Sequence, residues 1–387
     1  MLTVSEVWEK IDSLAALLPV ETVPLTGASG RVLRETVHAP EDQPAFDRAA
    51  IDGYVVSLDA PVAATLRVVG SIPMGQLAPA APAPGTALKL FTGSAVPAGE
   101  VGLVMWEDAG LVGETITLRV APSASFIRRR ASQARAGHAL LPAGVVLNPG
   151  SLALLASVGR ISPSVSRLPR VAHLVTGGEL LAPEAGCAPG RIRDSNSTLI
   201  AALLAASSAA LVAHARAGET YAEHIAAFAT LLAAEPDLIL VSGGSSGGEH
   251  DHAARLFASH GFAPVVDQVA SRPGKPLLIA TRGAQVAIGL PGNPLSHFVC
   301  YHLFVARLLA RLRGADPASV LRLPLAPGAP LRANPRETWW PATRTADGYA
   351  PLPWADSSDL TVLSRTHALL RIPSTAAPEK TAEGMLV

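Results

Sequence analysis

Residues 237–251, DLILVSGGSSGGEHD, place glycines, serines and carboxylates directly after an apolar run. The run Leu238–Val241 predicts a strand that is buried on both faces of a parallel sheet. The glycines that follow allow a ligand to approach main-chain N–H groups closely, and such cradles favour anions. Apolar spacing over residues 253–257 predicts the start of a helix, so the order of strand, loop and helix is typical of a phosphate site.

Three known motifs compete for this loop. The phosphate loop of nucleotide hydrolases ends in Gly-Lys-Ser/Thr, but here Gly248 is followed by Glu249. The glycine spacing excludes the dinucleotide fingerprint as well. Residues 243–247, Gly-Gly-Ser-Ser-Gly, do have the G-x-S-x-G form of a hydrolase nucleophile elbow. A serine hydrolase that uses Ser245 therefore stays open as a hypothesis, and so does a glycine-rich turn without chemistry.

Three further loops lie at the ends of predicted elements. Residues 176–179, Thr-Gly-Gly-Glu, follow the predicted strand Val171–Val175. Ser195 and Asn196 precede a predicted helix, where their side chains either cap the helix or bind a ligand. Residues 289–294, Gly-Leu-Pro-Gly-Asn-Pro, form a rigid turn that opens the next helix. Because ligands bind outside the carboxyl ends of strands in open α/β sheets, these loops are candidates for a ligand site.

A rigid cationic turn, residues 272–276 with the sequence Arg-Pro-Gly-Lys-Pro, lies between the last two of these loops. Lys275 is one of only four lysines beside 27 arginines. A lysine kept in such a chain indicates a required point charge, although chance composition explains it equally well. Together with Arg272 and Ser296, Lys275 is predicted to hold an oxyanion.

Composition and charge limit the class of protein. At 387 residues the chain exceeds the length of about 250–300 at which a single core usually stops growing, so several domains are expected. The net charge is zero, so no global field attracts the protein to nucleic acid or to an anionic membrane. The weakly polar run Thr198–Ala213 is shorter than the roughly 20 apolar residues of a membrane span and predicts a packed helix. No secretory signal is evident at the N-terminus, so a cytoplasmic location is expected.

The composition and the pattern of apolar residues change along the chain. An amphipathic helix near Val4–Leu18 precedes a mainly β region at about Pro44–Arg135. From Arg170 the pattern is α/β, because predicted strands alternate with helices. These helices are predicted at Ser195–Ala217, Tyr221–Ala234 and Leu295–Leu312. After Gly314 the chain becomes proline-rich and short-stranded, which predicts a small β domain.

Several motifs, in order from about Val4 to Pro373, resemble the MoeA/gephyrin-E family of molybdopterin molybdenumtransferases. They are Phe46-Asp47-x-Ala-x-Ile51-Asp52-Gly53-Tyr54-x-Val56, Phe91-Thr92-Gly93, Arg128-Arg129-Arg130, Thr176-Gly177-x-Glu179-Leu180, Arg193-Asp194-Ser195-Asn196, Ser242-Gly243-Gly244, residues 272–276 and residues 289–294. The resemblance implies a multidomain α/β and β protein with four domains. These are a helical stalk (1–43 and 136–168), an inserted mainly β domain (44–135), an α/β molybdopterin-binding domain with a parallel-rich sheet (169–314) and a small C-terminal β barrel (315–387).

The resemblance also implies a reaction. Members of the family take adenylylated molybdopterin and molybdate and yield molybdenum cofactor with release of AMP, using a divalent cation, here Mg²⁺. The implied catalytic residues are Asp52, Thr92, Glu179 and Asp251, and the implied metal ligands are Glu179, Glu249 and Asp251. The implied molybdopterin-binding residues are Thr176, Gly177, Ser195, Asn196, Ser242, Gly243, Gly244, Ser245, Gly248, Pro291, Gly292, Asn293 and Pro294. The implied molybdate ligands are Arg272, Lys275, Ser296, Arg336 and Ser358, with Ser357 as an alternative to the last.

The family match implies partners as well. Asp52 and Thr92 come from the inserted domain, which in the family reaches the active site of the other subunit, so a homodimer is expected. The enzyme that adenylylates molybdopterin and the recipient molybdoenzymes are further expected partners. Neither nucleic acid nor a membrane is expected.

This sequence departs from the family pattern mainly by losing acids. Gly178 stands where the family usually has aspartate, Ser132 and Gln133 replace an acidic pair, and the acidic turn near Gly218 keeps only Glu219. Arg272 replaces a lysine. Hard cations are held mainly by charged oxygens, so these losses weaken the predicted metal site. A degenerate paralogue that binds molybdopterin or a partner enzyme without inserting metal is therefore an alternative hypothesis.

Overall fold

The computed structural model describes residues 1–186, 188–243 and 252–387. Its helices are α1 Val4–Leu14, α2 Pro149–Ser157, α3 Asn196–Ala206, α4 Tyr221–Leu232, α5 His252–Ser259, α6 Pro294–Cys300, α7 Ala306–Arg313 and α8 Leu360–Leu363. Its strands are β1 Val20–Thr22, β2 Val37–His38, β3 Arg48–Ala49, β4 Gly53–Ser57, β5 Thr65–Ile72, β6 Thr86–Leu90, β7 Val101–Met105, β8 Ala109–Val112, β9 Thr115–Leu118, β10 Ile127–Arg128, β11 Ala139–Leu141, β12 Ser164–Ser166, β13 Arg170–Thr176, β14 Leu180–Leu181, β15 Ile192–Arg193, β16 Ala210–Ala217, β17 Leu238–Ser242, β18 Ala263–Asp267, β19 Ser271–Arg272, β20 Leu278–Arg282, β21 Gln285–Leu290, β22 Leu321–Pro324, β23 Glu337–Thr345, β24 Gly348–Pro351, β25 Ala368–Ile372 and β26 Thr381–Leu386.

The chain forms two compact units. The first comprises Met1–Arg34, Gly144–Pro149 and Ser162–Val387. The second comprises Glu35–Ala143 and Gly150–Ile161. Each unit has its own hydrophobic core and its own sheets.

A six-stranded sheet in the order β16-β13-β17-β21-β20-β18 forms the centre of the first unit. The first four strands run parallel, and β20 and β18 run antiparallel to their neighbours, so the sheet is mixed. Alternate residues of β17 face opposite sides: Leu238 and Leu240 pack into one core, Ile239 and Val241 into another. Helices therefore cover both faces, which is why these strands are continuously apolar and the predicted α/β layering is confirmed.

The predicted helix Ser195–Ala217 is wrong in its second half. Helix α3 ends at Ala206, and Ala210–Ala217 forms the edge strand β16 beside β13. Ser208 adopts a left-handed φ of 50° between the two elements, which ends the helix. The alanine content of the segment suggested a helix, but a place at the sheet edge overrode that propensity, since alanine tolerates both structures.

The helix predicted at Leu295–Leu312 is confirmed and extends over Pro294–Arg313, with a π-helical turn at Tyr301–Val305. It is long and apolar enough to span a membrane, but 78% of its apolar window is buried inside the protein, as in a core helix. Helix α1 packs against it, and the Asp12 carboxylate accepts hydrogen bonds from Arg307 at 2.6 and 2.8 Å. A capping box between Thr3 and Glu6 starts α1.

A second six-stranded sheet follows the helix. Its order is β19-β23-β25-β26-β22, with β24 beside β23. Trp339, on β23, is fully buried and packs edge-on against Trp8 of α1 at a centroid distance of 6.2 Å. The predicted short-stranded β region after Gly314 is thus confirmed. The first strand in the order of this sheet, β19, lies earlier in the chain, at the start of the cationic turn 272–276.

The second unit contains a six-stranded sheet in the order β7-β4-β6-β5-β9-β8, which agrees with the predicted mainly β region. Two two-stranded ribbons, β3 with β10 and β2 with β11, also belong to this unit. Gly53 is required in β4, because a Cβ there would lie 2.0 Å from the Val104 carbonyl oxygen of the neighbouring strand.

Candidate functional site

A cleft of about 1250 Å³ opens in the first unit, at the carboxyl ends of β13, β17 and β21. Its lining includes residues from all four sequence-predicted loops and from the turn 272–276. Residues of the C-terminal sheet complete the wall: Arg336, Trp354 and the segment 355–358. The structure therefore brings together the described predicted site residues of the first unit, because parallel strands place their ends at one edge.

Gly243 brings the β13 and β17 loops into close contact. Gly243 has a φ of 92°, and a Cβ there would lie 2.9 Å from the Thr176 carbonyl oxygen. The Thr176 hydroxyl donates to the Ser242 carbonyl at 3.3 Å, and the Gly243 N–H donates to the Leu290 carbonyl at 3.2 Å. Side chains are excluded from this junction, so main-chain groups line that part of the cleft.

Two carboxylates lie against the loop at residues 176–179. Glu179 folds back over Gly177, where a Cβ would be 2.7 Å from the carboxylate oxygen. Glu219, from the loop before α4, occupies the space beside Gly178, where a Cβ would lie 2.5 Å from both Cγ and Oε1 of Glu219. Both side chains are exposed and line the cleft. The residue at position 178 lacks a side chain, and Glu219 fills the volume that a side chain there would occupy.

The segment before α3 is organised by Asp194, which sequence reasoning did not single out as a site residue. Asp194 is buried and accepts from the Ser197 backbone N–H at 3.0 Å and from its hydroxyl at 2.6 Å. Ser195 precedes the helix without making a capping hydrogen bond, so the capping interpretation of Ser195 is wrong. An aspartate three residues before the N–H that donates to it is a capping pattern that the sequence already contains.

Asn196 and Asn293 join the loops. Asn196 donates from Nδ2 to the Gly292 carbonyl at 2.7 Å. Asn293 donates from Nδ2 to the Ser357 hydroxyl oxygen at 2.7 Å, and the Leu295 N–H donates to the Ser357 carbonyl at 3.0 Å. The start of α6 is therefore tied both to α3 and to the C-terminal segment.

Three cationic side chains line one part of the cleft: Arg272, Lys275 and Arg336. None of them forms an ion pair with a carboxylate in the described ranges of the chain. Arg336 donates to the Ser271 carbonyl at 3.0 Å, and the Arg272 guanidinium lies 5.4 Å from the centre of the Trp354 ring. Cations without carboxylate partners in a concave site favour an anionic ligand.

The hydroxyl groups near these cations differ in their hydrogen bonding. Ser296 is buried and lines the cleft. The Ser358 hydroxyl donates to Asp356 at 2.5 Å, and the Ser358 side chain and N–H together lower the pKa of that carboxyl. The Ser357 oxygen accepts from Asn293 and so keeps its own proton available. Ser357 is thus the better placed donor of the two.

Asp52 and Thr92 belong to the second unit and contact each other. The Thr92 N–H and hydroxyl donate to the same Asp52 oxygen at 2.6 and 2.9 Å. These two hydrogen bonds, the backbone one first, lower the pKa of the Asp52 carboxyl. The ionised form of Asp52 is therefore favoured, and one of its two oxygens accepts both hydrogen bonds.

Five predicted residues lie outside the described part of the chain: Gly244, Ser245, Gly248, Glu249 and Asp251. Cys187 lies outside it as well. Over residues 1–186, 188–243 and 252–387, no three His, Cys, Asp or Glu side chains come together in a way that would hold a metal ion. Of the predicted metal ligands, only Glu179 has a described position, and it lines the cleft.

The fold and this cleft define a multidomain protein whose mixed α/β sheet carries an anion-favouring cleft at its strand ends. Residues 2–159 match the MoeA N-terminal region (domain I and II), and residues 172–311 match the probable molybdopterin binding domain. The chain is 32% identical over 329 residues to the molybdopterin molybdenumtransferase of Nostoc sp., covering 81% of this chain and 74% of the relative. It is 34% identical over 322 residues to molybdopterin molybdenumtransferase 2 of Mycobacterium tuberculosis, covering 79% of this chain and 78% of the relative.

A solved structure also shares the fold. The molybdopterin biosynthesis MoeA protein of Pyrococcus horikoshii superposes with a TM-score of 0.81 at 23% identity, covering 100% of both chains. The chain belongs to the molybdopterin molybdenumtransferase family. The family resemblance and the transferase class that the sequence indicated are thereby confirmed.

Proposed function

We propose that this protein inserts molybdate into adenylylated molybdopterin and releases AMP, giving molybdenum cofactor. One observation supports this most strongly: in a member of this family, Arg272, Lys275 and Arg336 line the same cleft as the glycine loops without a carboxylate partner among the described residues. A cleft of about 1250 Å³ has room for a nucleotide-sized ligand and an oxyanion together. The comparisons favour neither the degenerate paralogue nor the serine hydrolase.

The phosphorylated pterin is proposed to bind along the glycine loops. The Ser242 hydroxyl would offer a donor on one side, beside the closely packed main chain of Thr176, Gly177 and Gly243, and residues 291–294 would line the other side. Ser195 and Asn196 would contact the same ligand. The close approach of the loops supports this assignment, since a ligand phosphate would meet backbone rather than side chains there.

Molybdate, a dianion, is proposed to bind between Arg272, Lys275 and Arg336. Ser296 and Ser357 or Ser358 would add hydroxyl donors. Arginine offers several N–H groups in a fixed plane and lysine a compact charge, so the three together suit a small tetrahedral oxyanion.

Mg²⁺ is proposed to assist at the phosphoanhydride. Mg²⁺ is usually bound through one or two carboxylates together with substrate phosphates, and the exposed oxygens of Glu179 and Glu219 in the cleft fit that donor set. Glu249 and Asp251 are proposed as further ligands, although their positions lie outside the described residues. When bound, the ion would neutralise charge on the phosphate oxygens.

The assembly is proposed to be a homodimer in which Asp52 and Thr92 contribute to catalysis. We also propose the four-domain division into 1–43 with 136–168, 44–135, 169–314 and 315–387, with the last closing as a small barrel. An isolated bridge between Leu325, directly after the edge strand β22, and Tyr349 of β24 supports that closure. A cytoplasmic location and contacts with the adenylylating enzyme and recipient molybdoenzymes belong to the same proposal.

Release of AMP tests the function. Purified protein is incubated with adenylylated molybdopterin, Mg²⁺ and molybdate, and AMP is measured over time. Lys275→Ala should lower turnover at limiting molybdate about ten- to a hundredfold, because one charge-assisted contact is lost. Lys380→Ala, a change at an exposed lysine outside the cleft, is the matched control. Pterin binding without AMP release by the wild type would instead support the non-catalytic paralogue.

A further inference from the structure

A buried imidazole stands directly behind a serine of the cleft. His173 Nε2 lies 2.7 Å from the Ser242 hydroxyl oxygen, and the two residues are 0% and 1% exposed. They come from adjacent parallel strands, β13 and β17, and Ser242 lines the cleft. The contact therefore joins the core of the sheet to the loop that is proposed to hold the pterin phosphate.

Burial favours the uncharged form of the His173 imidazole. Burial holds the pKa of His173 well below its usual value, and the neighbouring imidazoles of His297 and His214 lower it further. His214, the residue opposite on β16, stacks on the ring at 5.2 Å. A neutral imidazole carries one N–H, so one ring nitrogen donates and the other accepts.

The surroundings decide which nitrogen carries the proton. His173 Nδ1 is buried and has no hydrogen-bond partner within the described residues. A buried N–H without an acceptor is rarer and more costly than a buried acceptor without a donor. The proton therefore belongs on Nε2, where the Ser242 oxygen accepts it.

This assignment fixes the direction of the serine hydroxyl. Since the Ser242 oxygen already accepts from His173, its own proton is free to be donated elsewhere. Across the described residues, no group other than the imidazole lies within hydrogen-bond distance of that hydroxyl. Ser242 is one of the residues that line the cleft.

We propose that His173 is a positioning residue that commits the Ser242 hydroxyl to donate a hydrogen bond into the cleft, to an anionic oxygen of the bound pterin. The inference rests on the proposed function for the identity of the ligand. Consecutive hydrogen bonds polarise one another, so an Nε2–H donor behind the serine strengthens its donation to an anion. With the opposite tautomer, the hydroxyl would donate to the imidazole and present only lone pairs to the ligand.

Nitrogen NMR tests the tautomer without any ligand. The ¹⁵N shifts of a histidine distinguish an Nε2–H ring from an Nδ1–H ring, and His173→Gln identifies the signal among the 11 histidines. The expected result is a neutral Nε2–H ring for His173 that persists from pH 8 to pH 5.5. An Nδ1–H ring would overturn the proposal, whatever the protein binds.

Anaerobic titration with molybdopterin tests the consequence. Ser242→Ala removes the serine hydroxyl and should weaken molybdopterin binding roughly ten- to hundredfold. His173→Leu keeps the hydroxyl but not its orientation, so it should weaken binding only about three- to tenfold. His173→Gln, which keeps an N–H donor, should restore most of the affinity. His302→Leu, a matched change at a histidine that packs against Phe298 outside the cleft, should leave the affinity unchanged.

A double-mutant cycle separates positioning from a general structural effect. In a Ser242→Ala background, His173→Leu should have no further effect on molybdopterin binding. Unchanged or tighter binding by His173→Leu, or an equal loss in both backgrounds, would refute the positioning role. Failure of the wild type to bind molybdopterin would refute the proposed function and the ligand named here, while the tautomer measurement would still stand.

Discussion

The stacking of Arg272 on Trp354 predicts how tightly the protein holds molybdate. The Arg272 guanidinium lies 5.4 Å from the Trp354 ring centre, and Trp354 packs edge-on against Trp340 at 5.8 Å. Arg272 makes no ion pair with any described residue, and the Trp354 ring lies against its guanidinium. Trp354→Leu removes that face and leaves the guanidinium free to leave the cleft.

The magnitude follows from the partial burial of both side chains. A cation–π contact contributes about 0.5–1 kcal/mol at exposed sites and about 2 kcal/mol when desolvated. Arg272 and Trp354 are both half-buried, so about 1 kcal/mol applies, which corresponds to about a fivefold weaker Kd for molybdate. Trp354→Phe keeps an aromatic face and should lose less than twofold. The Trp354 Nε1 has no partner among the described residues, so phenylalanine breaks no hydrogen bond there.

Equilibrium binding of molybdate to each variant, at fixed ionic strength, measures the effect. Trp8→Leu is the matched control, because Trp8 also stacks on an arginine, Arg307 at 5.1 Å, but lies outside the cleft. It should lower the unfolding temperature and leave molybdate affinity unchanged. Equal molybdate affinity for wild type and Trp354→Leu, with both folded, would show that Arg272 is held by something else or does not bind the oxyanion.

Three further predictions concern glycines and buried histidines. Gly178→Ala should displace Glu219, since the new Cβ would lie 2.5 Å from its carboxylate. This variant should need a higher Mg²⁺ concentration for AMP release. The control Gly186→Ala, where the space around the glycine is open, should not. Gly243→Ala should destabilise the protein by more than the roughly 1–2 kcal/mol cost of a left-handed alanine, because its Cβ would also meet the Thr176 carbonyl at 2.9 Å. Gly190 has a similar φ but open space around it, so thermal melts of Gly190→Ala measure the backbone cost alone. Burial lowers the pKa of His297 to about 4, below its unfolded value of 6.5, so the unfolded state binds more protons and stability should fall as pH drops from about 6.5 to about 4, by at most about 3 kcal/mol for this group. Urea titrations at pH 8, 6.5 and 5 measure that loss, and an equally steep dependence in His297→Leu would contradict the assignment.

The loops of the cleft could be predicted from the sequence because each depends on local chemistry. Apolar runs followed by Gly or Pro clusters marked the ends of β13, β17 and β21, and parallel pairing alone was enough to place those ends together. The helix Tyr221–Leu232 was predicted to within two residues, since Thr220 and Glu223 form a capping box.

The parts that sequence reasoning missed depend on long-range contacts. Nothing in the neighbourhood of Trp354 indicates that it stacks on Arg272, 82 residues earlier in the chain. Residues 210–217 have a helical composition, and only pairing with β13 makes them a strand. His173 interrupts an apolar strand, yet the purpose of a polar group there becomes visible only when Ser242 is seen beside it.

The hydrogen bonds between Ser357 and both Asn293 and Leu295 have a consequence for a shortened chain. A shorter protein that ended near Gly314 would keep the phosphate-facing turns but lose Arg336, Trp354 and the anchor of the α6 start. Such a fragment would keep Arg272 and Lys275 but lack Arg336, one of the three cationic side chains of the proposed molybdate site. The complete cleft therefore depends on both sheets of the first unit, because residues from each of them line it.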